Sequence, residues 1–124
     1  MSKKIFITGA DGQLGRSLIS LLRHYYDVLG SVIDLKAVSE TNGPLVQVDI
    51  TDAEQIQHAL DEYLPDIIIN TAAFTNVDQS ELQKDLAWSV NVTGLENIIK
   101  ASSVKTRIIQ ISSDYVFDGS KGPY

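Results

Sequence analysis

Lys-Ile-Phe-Ile-Thr-Gly-Ala-Asp-Gly-Gln-Leu-Gly, residues Lys4 to Gly15, sets an apolar run of strand length against three glycines spaced three apart. Apolar residues after Gly15 recur at helical spacing, so the stretch predicts strand, tight turn and helix. A buried parallel strand that feeds a helix N-terminus leaves unpaired backbone N–H groups, and the positive end of the helix dipole, facing whatever sits above the turn. That arrangement is a phosphate cradle. Gly9 lets the chain leave the strand at an angle that a Cβ obstructs, Gly12 keeps the backbone bare for a pyrophosphate, and Gly15 lets the helix pack closely on the sheet. The spacing is G-x-x-G-x-x-G rather than G-x-G-x-x-G, and on this stretch alone the alternative is a plain strand-to-helix turn.

Outward from that turn, Leu14, Leu18, Leu21, Leu22 and Tyr25 form the apolar stripe of a first helix that runs to about Tyr25. Val28 to Ile33 is a second strand, broken up by Gly30 and closed by Asp34. Turn chemistry at Thr41-Asn42-Gly43-Pro44 leads into a third strand, Leu45 to Val48. Thr51-Asp52-Ala53-Glu54 reads as a capping box that opens a second helix with Ile56, Leu60 and Leu64 inward, and Pro65 stops it. The unalternating run Ile67 to Asn70 marks a central strand covered on both faces, with Thr71 to Asn76 as the loop at its carboxyl end. Leu82, Leu86, Val90, Leu95, Ile98 and Ala101 predict a third helix over about Ser80 to Ser102, and Arg107 to Ile111 a fifth strand. Right-handed crossovers then give an α/β fold, a doubly wound parallel sheet of about five strands in the order 3-2-1-4-5. Three loops fall on one edge of it: Gly9 to Gly15, Thr71 to Asn76 and Ser112 to Gly119.

A chain of 124 residues supports one domain with a real core. With 44% hydrophobic and 21% charged residues, its composition is that of an ordinary globular protein. The net charge of -6 argues against nucleic acid as a partner, although a local cradle still holds a small anion. There is no cysteine, which excludes disulfides and thiolate metal sites and fits a cytoplasmic home. The basic start Met1-Ser2-Lys3-Lys4 is followed by too short an apolar run for an export signal or a membrane span. His24 and His58 stand alone on predicted helices, so no metal is expected, and Trp88 reads as packing. An uncovered fifth strand predicts self-association or poor solubility.

Four motifs in order carry a resemblance. Thr8-Gly9-x-x-Gly12-x-x-Gly15, Asn70-Thr71-Ala72-Ala73-Phe74-Thr75-x-Val77-Asp78, Val90-Asn91-x-x-Gly94 and Ile111-Ser112-Ser113-Asp114-Tyr115-Val116-Phe117-Asp118-Gly119 resemble the extended short-chain dehydrogenase/reductases, and within them the dTDP-4-dehydrorhamnose reductase family. The resemblance spans essentially the whole chain. It implies a Rossmann-like fold, NADPH or NADH as cofactor, and reduction of a nucleotide-linked 4-keto sugar. It places Gly9, Gly12, Gln13, Leu14 and Gly15 around the pyrophosphate, Asp49 and Ile50 at the adenine, and Ala72, Ala73, Thr75 and Asn91 along the cofactor. Asp49 equally suits a cap made with Thr51; Asn91 faces solvent or holds a contact near the site; Arg16 adds charge at the cradle or is a surface residue. Ser113 matches the catalytic Ser/Thr and also touches substrate, and Tyr115 and Phe117 match residues that line the sugar and nicotinamide pocket.

The Tyr-x-x-x-Lys pair that the family uses to move a proton is missing. Tyr25, Tyr26, Tyr63 and Tyr115 are followed four residues on by Leu29, Gly30, Ile67 and Gly119, and Tyr124 is the last residue. The expectation is therefore the amino-terminal, coenzyme-binding part of a longer reductase, residues 1–124, with little turnover alone. A non-catalytic dinucleotide-binding regulatory protein, resembling the methionine adenosyltransferase regulatory subunit, is the alternative. For cofactor choice, Asp34 lies nineteen residues past Gly15, near the separation of about twenty at which an acid binds the adenosine 2′-hydroxyl. Alignment of the strand puts Val32 or Ile33 at that position instead, with Asp34 a turn residue and Lys36 serving a 2′-phosphate.

Overall fold

The computed structural model describes residues 3–38, 43–71 and 92–111. Along the chain these form β1 (Lys4–Thr8), α1 (Gln13–Leu22), β2 (Asp27–Val32), a 3-10 turn η1 (Leu35–Ala37), β3 (Leu45–Gln47), α2 (Ala53–Tyr63), β4 (Ile67–Asn70), a helical stretch α3 over 92–101, and β5 (Arg107–Gln110). Every neighbouring pair of strands is parallel, and the order is β3-β2-β1-β4-β5. This is the doubly wound order that the sequence predicts.

β1 takes the centre because its side chains are apolar on both faces. Phe6 packs with Val48, Ile50 and Ile68, with Ile56, Ala59 and Leu60 of α2, and with Ile98 of α3. Ile5 and Ile7 point the other way, onto Val28, Val32, Ile69 and Ile19 of α1. Among the described residues, α2 and α3 therefore cover one face and α1 covers the other. The register aligns Thr8 with Ser31 and Asn70, and Asn70 with Gln110, so the carboxyl ends of four strands lie along one edge on either side of the switch point between β1 and β4.

The structure corrects the rotation of α1. Its inward line is Gly15, Ile19 and the half-buried Leu18 and Leu22, whereas Leu14, Leu21 and Tyr25 are 44%, 60% and 71% exposed. The cause is the close approach at Gly15. A Cβ built there would lie 2.3 Å from Gly9 O and 2.9 Å from Ala10 Cα, and that contact fixes which side of the helix meets the sheet. The helix also stops at Leu22, where the amides of Tyr25 and Tyr26 both turn back to Leu22 O at 2.9 Å. Gly30 does not break β2. A Cβ on it would meet Ala10 Cβ at 2.6 Å and Ile19 Cδ1 at 2.8 Å, so its bareness is what lets α1 settle on the strand.

Both ends of α2 differ from expectation. The N-cap is Asp52, whose Oδ1 accepts the Glu54 and Gln55 amides at 3.0 and 3.3 Å, while Gln55 Nε2 donates to Asp52 Oδ2 at 3.1 Å. Thr51 is already engaged: its amide and hydroxyl both donate to Asp49 Oδ1, at 3.0 and 2.7 Å. The cap therefore passes one residue on, to a carboxylate that also suits the positive end of the helix dipole. At the other end Leu64 is the C-cap, with a left-handed φ of 54° and 69% of its surface exposed, not inward. Pro65 disfavours a right-handed helical residue before it, so the chain leaves the helix there and carries the side chain outward. Ile98 of α3 is fully buried, as predicted, while Leu82, Leu86 and Val90 lie outside the described residues.

Candidate functional site

The strand-to-helix turn after β1 is built as three glycines with three different needs. Gly9 has φ of 64°, the left-handed region that favours glycine. Gly15 is bare because the turn's own backbone fills the space a side chain would take. Gly12 has neither reason: its φ is -77°, and a Cβ on it would come no closer than 3.4 Å to Gly9 O, an ordinary contact. Among the described residues nothing internal asks for glycine at that position.

The helix end beside it is open in the same sense. Gly12 is the N-cap of α1 and makes no side-chain capping bond, and the first turn holds no acid. Within the same chain α2 begins the opposite way, with Asp52 on its first amides and Glu54 in its first turn. Among the described residues no side chain caps the donors at the start of α1, which is where a bound anion would use them.

Neighbouring strands hold the turn. The Ala10 amide donates to Ser31 O at 3.0 Å, the Gly12 amide to Gly9 O at 3.0 Å, and the Thr71 hydroxyl to Thr8 O at 2.5 Å and Gly9 O at 3.3 Å. Beneath them runs a polar row that the sequence reading missed. Thr8 Oγ1 donates to Asn70 Oδ1 at 2.5 Å, Asn70 Nδ2 to Gln110 Oε1 at 2.7 Å, and Gln110 Nε2 to Ile111 O at 3.3 Å. Thr8 and Asn70 are 0% and 2% exposed. These side chains close the apolar core of Phe6 and Ile68 at the crevice floor and tie the ends of β1, β4 and β5 together, and among the described residues no buried side-chain nitrogen or oxygen lacks a hydrogen bond. The available signal was a polar residue ending each of three strands, legible only once their register is known.

Asp49 and Ile50 lie between β3 and α2. The Asp49 carboxylate is held by Thr51, its amide donates to Gln55 Oε1 at 2.9 Å, and the buried Ile50 side chain lies where a Cβ on Gly94 would strike it, 2.4 Å from Cδ1. Ile50 O accepts from Asn97 Nδ2 at 2.9 Å, which fastens this corner to α3. Gln13, Arg16 and Leu14 are exposed near the open helix end, and an open groove of about 630 Å³ runs from Gln13 and Arg16 past Ser17, Ser20 and Leu21 to His24 along the outer side of α1. Ala72, Ala73, Thr75, Asn91, Ser113, Tyr115 and Phe117 lie outside the described residues. Among the described residues no group of three or more His, Cys, Asp or Glu side chains is arranged to hold a metal ion, and no helix is long and apolar enough to cross a membrane.

At the opposite edge of the sheet Tyr63 serves stability. Its hydroxyl donates to Asp27 O at 2.8 Å and lies 3.0 Å from Asp27 Oδ1, its ring packs on Phe6 at 6.2 Å between centroids, and Lys4 Nζ sits 5.4 Å above that ring. Burial, then the bond to Asp27 and its negative charge, raise the phenol pKa well above the ordinary 10.

Comparison with known proteins adds an independent line. The family model described as "RmlD substrate binding domain" matches residues 3–124. A dTDP-4-dehydrorhamnose reductase of Aggregatibacter actinomycetemcomitans is 40% identical over 121 residues, covering 95% of this chain and 37% of that protein. The crystal structure of a dTDP-4-dehydrorhamnose reductase from Bacillus anthracis, in complex with NADP, superposes with a TM-score of 0.75 at 38% identity, over 97% of this chain and 39% of the other. The rat methionine adenosyltransferase 2 subunit beta is 33% identical over 125 residues, 99% of this chain and 36% of that protein. The chain thus spans less than two fifths of the length of these relatives.

Proposed function

This chain belongs to the RmlD substrate binding domain family, and we propose that residues 1–124 form the coenzyme-binding part of an NADPH- or NADH-dependent reductase that acts on a nucleotide-linked 4-keto sugar, with dTDP-4-dehydrorhamnose to dTDP-rhamnose as its reaction. The observation that carries this reading is the bare Gly12 beneath a helix N-terminus without a side-chain cap: a cradle that a Cβ would fill and that no contact among the described residues explains. The Bacillus anthracis relative, whose structure is a complex with NADP, supports the choice of ligand.

When bound, the nicotinamide supplies the hydride. The chain's own residues bind and orient. Gly9, Gly12, Gln13, Leu14 and Gly15 surround the pyrophosphate, with the Gln13 and Leu14 amides at the start of α1 as donors, and the Asp49–Ile50 corner, fixed by Thr51, Gln55 and Asn97, forms the adenine end. Ala72, Ala73, Thr75 and Asn91 line the coenzyme in this proposal. Ser113 hydrogen-bonds the reacting sugar oxygen, and Tyr115 and Phe117 wall the pocket. The proton that the sugar oxygen gains is the task of a Tyr-x-x-x-Lys pair in this family, and no such pair occurs in these 124 residues. Coenzyme binding is therefore this chain's proposed contribution.

A second reading, a dinucleotide-binding regulatory subunit, rests on the likeness to the rat protein. The reductase reading stands ahead on the higher identity to the reductase, 40% against 33%. Titration with NADPH and NADH, followed by nucleotide fluorescence and competed with ADP-ribose, tests what both share: saturable binding is expected, and no binding at millimolar coenzyme refutes the proposal. NADPH oxidation by the intact parent protein with dTDP-4-dehydrorhamnose separates them, since a regulator gives no turnover.

A further inference from the structure

The polar row on the crevice floor matters most to its last strand. β1 and β4 each lie between two strands, whereas β5 pairs only with β4 among the described residues, so a single ladder holds its carboxyl end. Asn70 secures that end twice. Its carbonyl accepts the Ile111 amide at 3.2 Å, and its Nδ2 donates to Gln110 Oε1 at 2.7 Å. Gln110 Nε2 in turn donates to Ile111 O at 3.3 Å, so Ile111 is held at both its N–H and its C=O. The donors all point one way, from Thr8 Oγ1 through Asn70 and Gln110 to Ile111 O. A carboxamide suits position 110 because it accepts on one side and donates on the other. The glycine turn has ties of its own, from the Ala10 amide to Ser31 O and from the Thr71 hydroxyl to Thr8 O and Gly9 O, and none of these passes through Gln110.

We propose, resting on the reductase reading above, that Gln110 is a positioning residue for Ser113: by linking Ile111 O to the Asn70 side chain it sets the direction in which the chain leaves β5, and with it the reach of Ser113 to the sugar oxygen. Ser113 follows Ile111 by two residues, too few to absorb a change of direction at that carbonyl. Misplacing a group that acts on the reacting atom by about 1 Å lowers turnover by up to about a hundredfold. Gln110 acts here through the backbone and touches neither coenzyme nor substrate. Because the glycine turn is tied down without it, coenzyme affinity and turnover should part company when Gln110 is changed.

The test uses the intact parent protein with NADPH and dTDP-4-dehydrorhamnose, read as kcat, sugar KM and coenzyme dissociation constant. Gln110→Glu keeps an acceptor for Asn70 Nδ2 but, when ionised, has no proton for Ile111 O. At pH 8 it is expected to lower kcat about tenfold, with sugar KM and coenzyme affinity within about twofold of wild type. A protonated Glu is a neutral counterpart of Gln that donates again, so its kcat relative to wild type at the same pH should rise at least about threefold as the pH falls from 8 to 5. Gln110→Met, which can neither donate to Ile111 O nor ionise, should show the same fall at pH 8 and no recovery at pH 5. Either variant keeping kcat within about twofold of wild type at pH 8 overturns the proposal. So does a loss of coenzyme affinity as large as the loss of kcat, which marks a general collapse of the crevice floor, and so does a Gln110→Glu kcat that does not recover with pH, or a Gln110→Met kcat that does. A wild-type parent without turnover overturns the reductase reading and this inference with it, whereas an active parent with unaffected variants overturns the inference alone.

Discussion

Replacing Gly12 and Gly15 by alanine, one at a time, separates a glycine kept for a ligand from a glycine kept for the fold. At Gly15 the added methyl would sit 2.3 Å from Gly9 O and 2.9 Å from Ala10 Cα, both backbone, so α1 must move off the sheet. Overpacking of that kind costs about 1–3 kcal/mol. At Gly12 the same methyl meets Gly9 O at 3.4 Å, and φ is -77°, a conformation alanine adopts freely. Loss of backbone freedom in the unfolded chain favours alanine by about 0.4–1 kcal/mol, and alanine's poorer fit at an N-cap opposes it by a similar amount, so folding stability should change by less than about 0.5 kcal/mol. Binding should respond in the reverse order. A methyl on Gly12 stands between the backbone and the proposed pyrophosphate, and a loss of at least about tenfold in coenzyme affinity, or about 1.4 kcal/mol, is expected. Urea denaturation read by circular dichroism and coenzyme titration on the same samples measure both quantities. Gly12→Ala with wild-type affinity, or with a stability loss as large as that of Gly15→Ala, would refute the reasoning.

Tyr63→Phe should lower stability by about 1 kcal/mol through the lost bond to Asp27 O, measured by urea denaturation. Because the folded-state pKa of Tyr63 lies above its ordinary 10, the unfolded chain loses its proton first, so the Tyr63 contribution is intact below pH 10 and declines above it; the phenylalanine variant should show a shallower alkaline fall. Asp52→Ala should cost about 1 kcal/mol by removing the cap from the Glu54 and Gln55 amides, and equal stability of variant and parent in thermal melts would count against that cap. Leu64→Gly should be neutral to stabilising, by up to about 1 kcal/mol, since Leu64 is left-handed and exposed and glycine adopts that conformation without a Cβ penalty; a fall in Tm would show that its side chain does more than point outward.

What the sequence made legible, and what it hid, divides along a physical line. Sheet order followed from apolar runs and crossover handedness, because a strand like Ile67 to Asn70 has one way to bury both faces. The glycine turn followed too, since Gly9 and Gly15 answer constraints set within a dozen residues of chain. The rotation of α1 did not. Leu14, Leu18, Leu21, Leu22 and Tyr25 make a credible stripe by spacing alone, and only the contact of Gly15 with Gly9 and Ala10 chooses the Gly15–Ile19–Leu22 line over it. The cap of α2 moved from Thr51 to Asp52 for a similar reason, because Asp49 reached Thr51 first. The Thr8–Asn70–Gln110 row and the hold of Gln47 on Leu35 join residues 62, 40 and 12 positions apart, and no local pattern encodes them. In the candidate site the same division holds: local sequence builds the bare turn at Gly9 to Gly15, and contacts between strands distant in sequence tie the ends of β1, β4 and β5 together beneath it. Because the proposed cradle is backbone, substitutions in it should weaken NADPH and NADH together.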